Sequence, residues 1–105
     1  MSHPTDRWRG LEKVLHAVAI PERMAILEYL AARGPMALGL ATHEMGIGCN
    51  WARHHARVLE SAGLIAVDRD RGGLNLSATC TITPAGRAFV ESMSELLSIK
   101  EAIRV

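Results

Sequence analysis

Cysteine is scarce in this 105-residue chain, which contains only Cys49 and Cys80. Two thiols are too few for a disulfide-stapled scaffold or for a structural zinc site. No apolar run approaches the roughly 18 residues of a membrane span, and no secretory signal is recognisable at the start. These absences and the composition exclude the membrane, collagenous and cysteine-rich classes, and we expect a small cytoplasmic protein.

The charge of the chain is nearly balanced, with 12 Lys and Arg residues, 11 Asp and Glu residues and a formal net charge of +1. With 49% hydrophobic and 22% charged residues, the composition is typical of one globular domain, expected to span residues 1–105. Net charge alone does not indicate a nucleic-acid binder. One local segment differs, because residues 46–59 contain no Asp or Glu but do contain Arg53, His54, His55 and Arg57.

Apolar residues recur at helical spacing in most of the chain. The pattern predicts helices at about 5–19, 21–32, 38–45, 50–62 and from residue 84 to the C-terminus. Pro21 suits the first turn of the second helix, because the N–H that proline lacks would be unpaired there. Gly46 and Gly63 can adopt the left-handed conformation that ends a helix. A turn of about three or four residues then joins the third and fourth helices, which is the helix-turn-helix arrangement.

After the fourth helix the apolar period changes from about 3.6 to about 2 residues. Residues 64–70 and 74–83 alternate between apolar and polar side chains, and 71–73 is a turn signal, so we predict a hairpin with one buried face. Thr83 and Pro84 are typical of an N-cap and the first turn of the last helix. The predicted fold is mainly α with a small β-hairpin, a winged helix-turn-helix.

The fourth predicted helix carries a polar stripe along one side. Asn50, Arg53, His54 and Arg57 are spaced i, i+3, i+4 and i+7, with no carboxylate among them. Arginine hydrogen-bonds guanine through two donors, and asparagine pairs with adenine in the same way. The positive N-terminal end of the helix suits a phosphate. We therefore expect these residues, with Cys49 at the helix start, to bind double-stranded DNA.

Three segments carry a resemblance to a known family: EMGIGCNWARHHARVLESAGLI at 44–65, IPERMAIL at 20–27 and ITPAGR at 82–87. They are similar to the recognition segment, the opening of the second helix and the strand-to-helix junction of winged-helix repressors. The arsenic-repressor (ArsR-like) family is the most similar, and the multiple-antibiotic-resistance (MarR-like) family is close behind. The resemblance implies a dimeric, cytoplasmic and nucleoid-associated transcriptional repressor that reads a pseudo-palindromic site through the helix at 50–62.

The resemblance also allows a check for metal sensing. Members of the arsenic-repressor family bind thiophilic metals through paired cysteines in the third helix, or zinc through His and carboxylate residues on the last helix. Here residues 36–45 contain no cysteine and residues 84–105 contain no histidine, so neither site can be built. We expect no metal and no cofactor. The sequence shows no recognisable pairing of a nucleophile with a base, no phosphate-binding loop and no catalytic carboxylate pair. We therefore do not expect an enzyme.

Several residues near the polar stripe have a structural interpretation as well as a functional one. Cys49 is either a small residue at a helix start or a redox-active thiol whose modification would weaken DNA binding. Cys80 is expected to fill the core. Trp51 is expected to fill the space left by Ala56, with stacking on DNA as the alternative. His55 lies on the inner side of its helix and is expected to be structural.

The hairpin and the terminal helices complete the predicted interfaces. Arg69 and Arg71 flank the hairpin turn, where they can reach phosphates or the minor groove. The first and last helices carry apolar stripes that one core of this size does not absorb fully, so we expect them to form a homodimer interface. Its expected residues are Trp8, Leu11, Leu15, Phe89, Met93, Leu96 and Leu97.

Two other functions are compatible with this fold. One is a plasmid or phage centromere-binding or replication-accessory protein, which would bind arrays of sites instead of one operator. The other is a winged helix used for protein–protein contact, since fold alone does not decide function.

Overall fold

A computed structural model of the chain describes residues 3–68 and 76–103. Within these ranges, the helices and short strands follow one another in the order α1 (Asp6–Val18), α2 (Pro21–Arg33), β1 (Met36–Ala37), α3 (Leu38–Glu44), α4 (Cys49–Ser61), β2 (Ile65–Asp68), β3 (Thr79–Ile82) and α5 (Pro84–Ala102). The helix-turn-helix formed by α3 and α4 is followed by the antiparallel pair of β2 and β3. This order confirms the predicted winged helix-turn-helix fold.

Particular residues end and begin helices as the sequence predicts. Gly46 and Gly63 have φ angles of +73° and +79°, a region that glycine adopts without a steric cost. The Thr83 side chain caps α5, because its Oγ1 accepts a hydrogen bond from the Gly86 N–H at 3.0 Å. The same hydroxyl donates to the Gly63 carbonyl at 2.7 Å. One threonine therefore joins the end of α4 to the start of α5.

The sheet contains a strand that the alternation pattern does not reveal. Its strand order is β1-β3-β2, and both neighbours run antiparallel to β3. Val67 lies opposite Cys80 on one side, and Met36 lies opposite Cys80 on the other. The ladder continues into the first turn of α3, where the Leu38 N–H donates to the Ala78 carbonyl at 3.0 Å. The sheet therefore ties the helix-turn-helix directly to β3.

Helix α2 lies at the centre of the core. Its Ile26, Leu27 and Leu30 are almost completely buried, and they belong to one cluster with Leu59 of α4 and with Leu64. Each such side chain stabilises the fold by about 1.5–3 kcal/mol through burial of apolar surface. Because α4 packs on this central helix, the position of the predicted DNA-reading surface depends on the core.

Helix α5 approaches the rest of the protein closely at Gly86. A Cβ atom at this position would collide with the Leu64 carbonyl oxygen and with the Ile82 side chain. Only glycine therefore allows α5 to pack against the sheet at this distance.

Helices α1 and α5 keep large apolar side chains at the surface. Ala17 is the only fully buried residue of α1, and Phe89 of α5 packs partly against the core of its own chain. Met93 lines an apolar groove of about 510 Å³ between α2 and α5. None of the described helices is long and apolar enough to cross a membrane. The exposed apolar residues of the two helices are Trp8, Leu11, Leu15, Leu96, Leu97, Ile99 and, at the end of α5, Ile103.

Candidate nucleic-acid interface

The turn between α3 and α4 is fixed by its own backbone. The Ile47 N–H donates to the Thr42 carbonyl at 2.8 Å, and the Gly46 N–H donates to the His43 carbonyl at 3.1 Å. The Thr42 hydroxyl in turn donates to the Leu38 carbonyl at 2.8 Å. These bonds satisfy polar groups inside the turn, and they set the direction in which α4 leaves it.

The inner side of α4 is built to pack closely. Ala52 and Ala56 have no exposed surface, and they share this side with His55 and Leu59. Alanine side chains keep the helix axis near its neighbours, so the orientation of α4 is set by contacts with the core.

The outer side of α4 carries the predicted polar stripe. Asn50, His54 and Arg57 are exposed, whereas Arg53 is half-buried. No Asp or Glu occurs in residues 46–59, so no carboxylate from this segment competes for these side chains. The surface therefore presents donors and positive charge to an external partner.

The first turn of α4 differs in detail from the sequence prediction. The helix begins at Cys49, one residue before the predicted start, and Gly48 is its N-cap. No side chain accepts a hydrogen bond at this N-cap, so the N–H groups of the first turn remain available to an acceptor such as phosphate. Cys49 is exposed and Cys80 is buried, as expected. A redox role for Cys49 stays a prediction.

A buried arginine joins α2 to α4. Arg23 is 6% exposed, and its Nε donates to His55 Nδ1 at 3.1 Å. Its Nη1 donates to the Ala17 carbonyl at 3.4 Å, and its Nη2 donates to His54 Nε2 at 3.3 Å. Because an arginine can only donate, both imidazoles act as acceptors in this network. The network confirms a structural role for His55 and holds His54 on the α2 side of the exposed stripe.

Sequence reasoning missed Arg23, although a signal for it exists. Arg23, Ile26, Leu27 and Leu30 are spaced i, i+3, i+4 and i+7, which places the arginine on the buried side of α2. An arginine on an apolar side needs partners, and the adjacent histidines of α4 supply them.

The surroundings of His55 lower its pKa from the ordinary value of 6.5, first through burial, then through the charges of Arg23 and His54, with Glu22 acting in the opposite direction. The lowered pKa means that the folded state favours the neutral imidazole. The contribution of His55 to stability is therefore complete above the unfolded pKa of 6.5, and it is lost as the pH falls from there through the folded pKa.

We therefore expect the urea midpoint of unfolding to decrease between about pH 8 and about pH 5.5. Replacing His55 by glutamine, which keeps a neutral polar side chain, should make this decrease smaller. His43→Gln, at an exposed position of α3, is the matched control and should leave the decrease unchanged. An equal decrease in the wild type and in His55→Gln would contradict the assignment.

Trp51 does not fill the space beside Ala56, so that expectation is wrong. Its side chain is 64% exposed, whereas Ala56 is buried without it. The indole ring lies 6.0 Å from the His55 ring, nearly parallel at 25°, and 6.1 Å from the His54 ring in an edge arrangement. The small alanines close α4 onto the core, and Trp51 is left at the surface. Stacking of Trp51 on DNA stays a prediction.

Two other expectations concern the hairpin and metal ions. Arg69 and Arg71 lie outside the described residues. In residues 3–68 and 76–103, no three His, Cys, Asp or Glu side chains are grouped so that they could hold a metal ion.

No family model matches the chain, and no curated protein matches it by sequence. Solved structures do match. NolR from Sinorhizobium fredii has a TM-score of 0.73 at 20% identity, over 91% of this chain and 94% of that protein. A homodimeric winged helix-turn-helix DNA-binding domain from Mycobacterium bovis, a possible ArsR-family transcriptional regulator, has a TM-score of 0.71 at 19% identity, over 96% and 91%.

Staphylococcus aureus MarR in complex with salicylate and kanamycin has a TM-score of 0.69 at 22% identity. The match covers 93% of this chain and 66% of that protein. Structures of both the MarR type and the ArsR type therefore share the fold of this chain, which confirms the fold that the resemblance implied.

Proposed function

We propose that this chain is a sequence-specific, dimeric DNA-binding protein that acts as a transcriptional repressor at a pseudo-palindromic site. The observation that carries the proposal is the outer side of α4, which has no carboxylate from Cys49 to Leu59 and follows the turn of a helix-turn-helix. Asn50, Arg53 and Arg57 offer amide and guanidinium groups that suit base edges. The uncapped first turn of α4 adds backbone donors for a phosphate.

The dimer part of the proposal rests on the exposed apolar surfaces of α1 and α5. Trp8 is 57% exposed and Leu96 and Leu97 are each 53% exposed, although they belong to apolar stripes. Large exposed apolar patches mark interaction sites in proteins of this kind. A two-fold axis through these helices would present two α4 helices to successive major-groove faces, about 34 Å apart.

Two structural neighbours support the same function. The Mycobacterium bovis domain is homodimeric and DNA-binding, and it is a possible transcriptional regulator. A further neighbour is Bordetella bronchiseptica BpsR, whose DNA binding is regulated by 6-hydroxynicotinic acid. These properties belong to those proteins, and for this chain they raise the expectation of DNA binding.

Replacing Arg53 by alanine is expected to weaken binding to the preferred site by about 1–3 kcal/mol and to relax the sequence preference, because a bidentate contact to a base would be lost. Fluorescence anisotropy with the preferred duplex and with a scrambled duplex measures both effects. Arg33→Ala removes the same charge from α2, where the guanidinium lies over the Tyr29 ring, and should leave the preference unchanged. Equal losses on both duplexes would make Arg53 a phosphate contact instead.

The proposed function is tested by selecting bound duplexes from a random pool and then titrating salt. A DNA-binding protein should enrich a two-fold related motif, and its affinity should fall steeply with salt. A protein-contact module would show no salt-sensitive DNA binding. Footprints repeated along arrays would favour the centromere-binding alternative over a single operator.

A further inference from the structure

A groove between α1 and α4 concentrates positive charge. This groove, which we call the α1–α4 groove, measures about 360 Å³ and is lined by Lys13, His16 and Ala17 of α1 and by His54, Arg57, Val58 and Ser61 of α4. Lys13 and His16 are spaced i, i+3 on one helix, and His54 and Arg57 have the same spacing on the other. One cationic side chain and one imidazole from each helix therefore line the same opening.

No carboxylate balances this charge inside the groove. None of its lining residues is Asp or Glu. Three acids lie nearby: Glu12 lines the neighbouring opening together with His16, Glu22 lines one with Trp51 and His55, and Glu60 precedes Ser61 on α4. An anion in the groove would be attracted by both Lys13 and Arg57.

The buried Arg23 adds an independent reason for an anion here. Its guanidinium bonds to His54 and to the carbonyl of Ala17, and both residues line the groove. Its described hydrogen-bond partners are two imidazoles and a carbonyl, all acceptors without a negative charge. Burying a charge whose hydrogen-bond partners are all neutral is costly, and the field of such a charge is poorly screened. An oxyanion in the groove, bound beside His54, would add a negative charge on this side of the network.

The position of the groove indicates where the anion comes from. His54 and Arg57 belong both to the groove and to the polar stripe of α4. A helix that lies in a major groove is bordered on each side by a phosphate strand. The DNA strand on the α1 side of α4 would therefore pass along this opening. Its phosphates would meet the hydroxyl, imidazole and cationic side chains that line the groove.

We propose that the α1–α4 groove binds a phosphate of the DNA backbone, and that Lys13 and His16 of α1 extend the DNA contact beyond the helix-turn-helix. This inference rests on the proposed DNA-binding function. It assigns to α1 a part in DNA binding in addition to its exposed apolar surface.

The test measures the DNA affinity of wild type, Lys13→Gln and His16→Gln over a range of salt concentrations. Loss of one phosphate contact should reduce the slope of log K against log salt by about 0.9 in Lys13→Gln, by the same amount on preferred and scrambled duplexes. His16→Gln should weaken binding to both duplexes equally. Arg33→Gln is the matched control, since it removes one positive charge outside the groove and should keep the wild-type slope.

Circular dichroism and sedimentation of Lys13→Gln verify that folding and assembly are unchanged. A wild-type slope in Lys13→Gln, with DNA binding intact in the wild type, would overturn the groove assignment alone. Absence of DNA binding in the wild type would overturn the proposed function and this inference together. In that case, inorganic phosphate would be added and the NMR signals of the His16 and His54 imidazoles recorded. A change in their chemical shifts would show that the groove binds a free anion.

Discussion

Gly86→Ala is expected to destabilise the protein by about 3 kcal/mol, which is a large part of the stability of a domain this size. The added methyl group would meet the Leu64 backbone carbonyl, which cannot rotate away as a side chain can. Relief requires α5 to move from the sheet, and this movement would open the packing around Ile82. Urea unfolding at fixed protein concentration measures the loss, and thermal unfolding should show a decrease of about 10 °C or more.

Gly10→Ala is the matched control for this substitution. Gly10 lies inside α1, is exposed, and has open space where a Cβ would be. Alanine there should stabilise the helix by about 0.5–1 kcal/mol, because glycine loses more backbone entropy on folding. The same substitution should therefore lower the free energy of unfolding at Gly86 and raise it at Gly10. A stabilised or unchanged Gly86→Ala variant would show that α5 does not approach the sheet as described.

Aspartate at both Leu96 and Leu97 is expected to convert the proposed dimer into a monomer and to reduce DNA affinity by about 100-fold or more. Both side chains are half exposed on α5, so the substitution should cost little folding energy in one protomer. Charges in an apolar interface without partners are costly, and a monomer loses the second, effectively intramolecular, half-site contact. Sedimentation velocity at micromolar concentration and anisotropy on a full site measure the two effects.

Ser94→Asp combined with Ser98→Asp adds the same charge to the same helix. These serines are exposed and belong to the polar part of α5, so this variant should remain dimeric. The comparison separates loss of apolar contact from simple repulsion between the protein and DNA. A wild-type protein that sediments as a monomer at micromolar concentration would contradict the dimer.

Local sequence signals predicted the helices and their ends well. Gly46, Gly63 and Thr83 act through their own backbone or through hydroxyl groups, so their effects can be read without knowing the fold. The alternation around Cys80 predicted its burial for the same reason, since strand period alone decides the side.

Features that depend on distant parts of the chain were not predicted. Strand β1 has only two residues, too few to show alternation, and it exists because Met36 pairs with Cys80. The bonds of Arg23 to His54 and His55 cross from α2 to α4, so no local pattern contains them. The exposure of Trp51 cannot be read from α4 alone, because this helix closes onto the core through Ala52 and Ala56 and leaves the indole outside.

The pairing of β1 with β3 also has a consequence for the kinetics of folding. It joins Met36 to Cys80, so α3 and α4 lie within a loop of the chain that this pairing closes. Loop closure costs entropy before the distant contacts return any energy, whereas helices form from neighbours within a microsecond or so. We therefore expect the helices to form before the sheet. Helix α4, the proposed DNA-reading helix, would then acquire its final orientation only when β3 pairs.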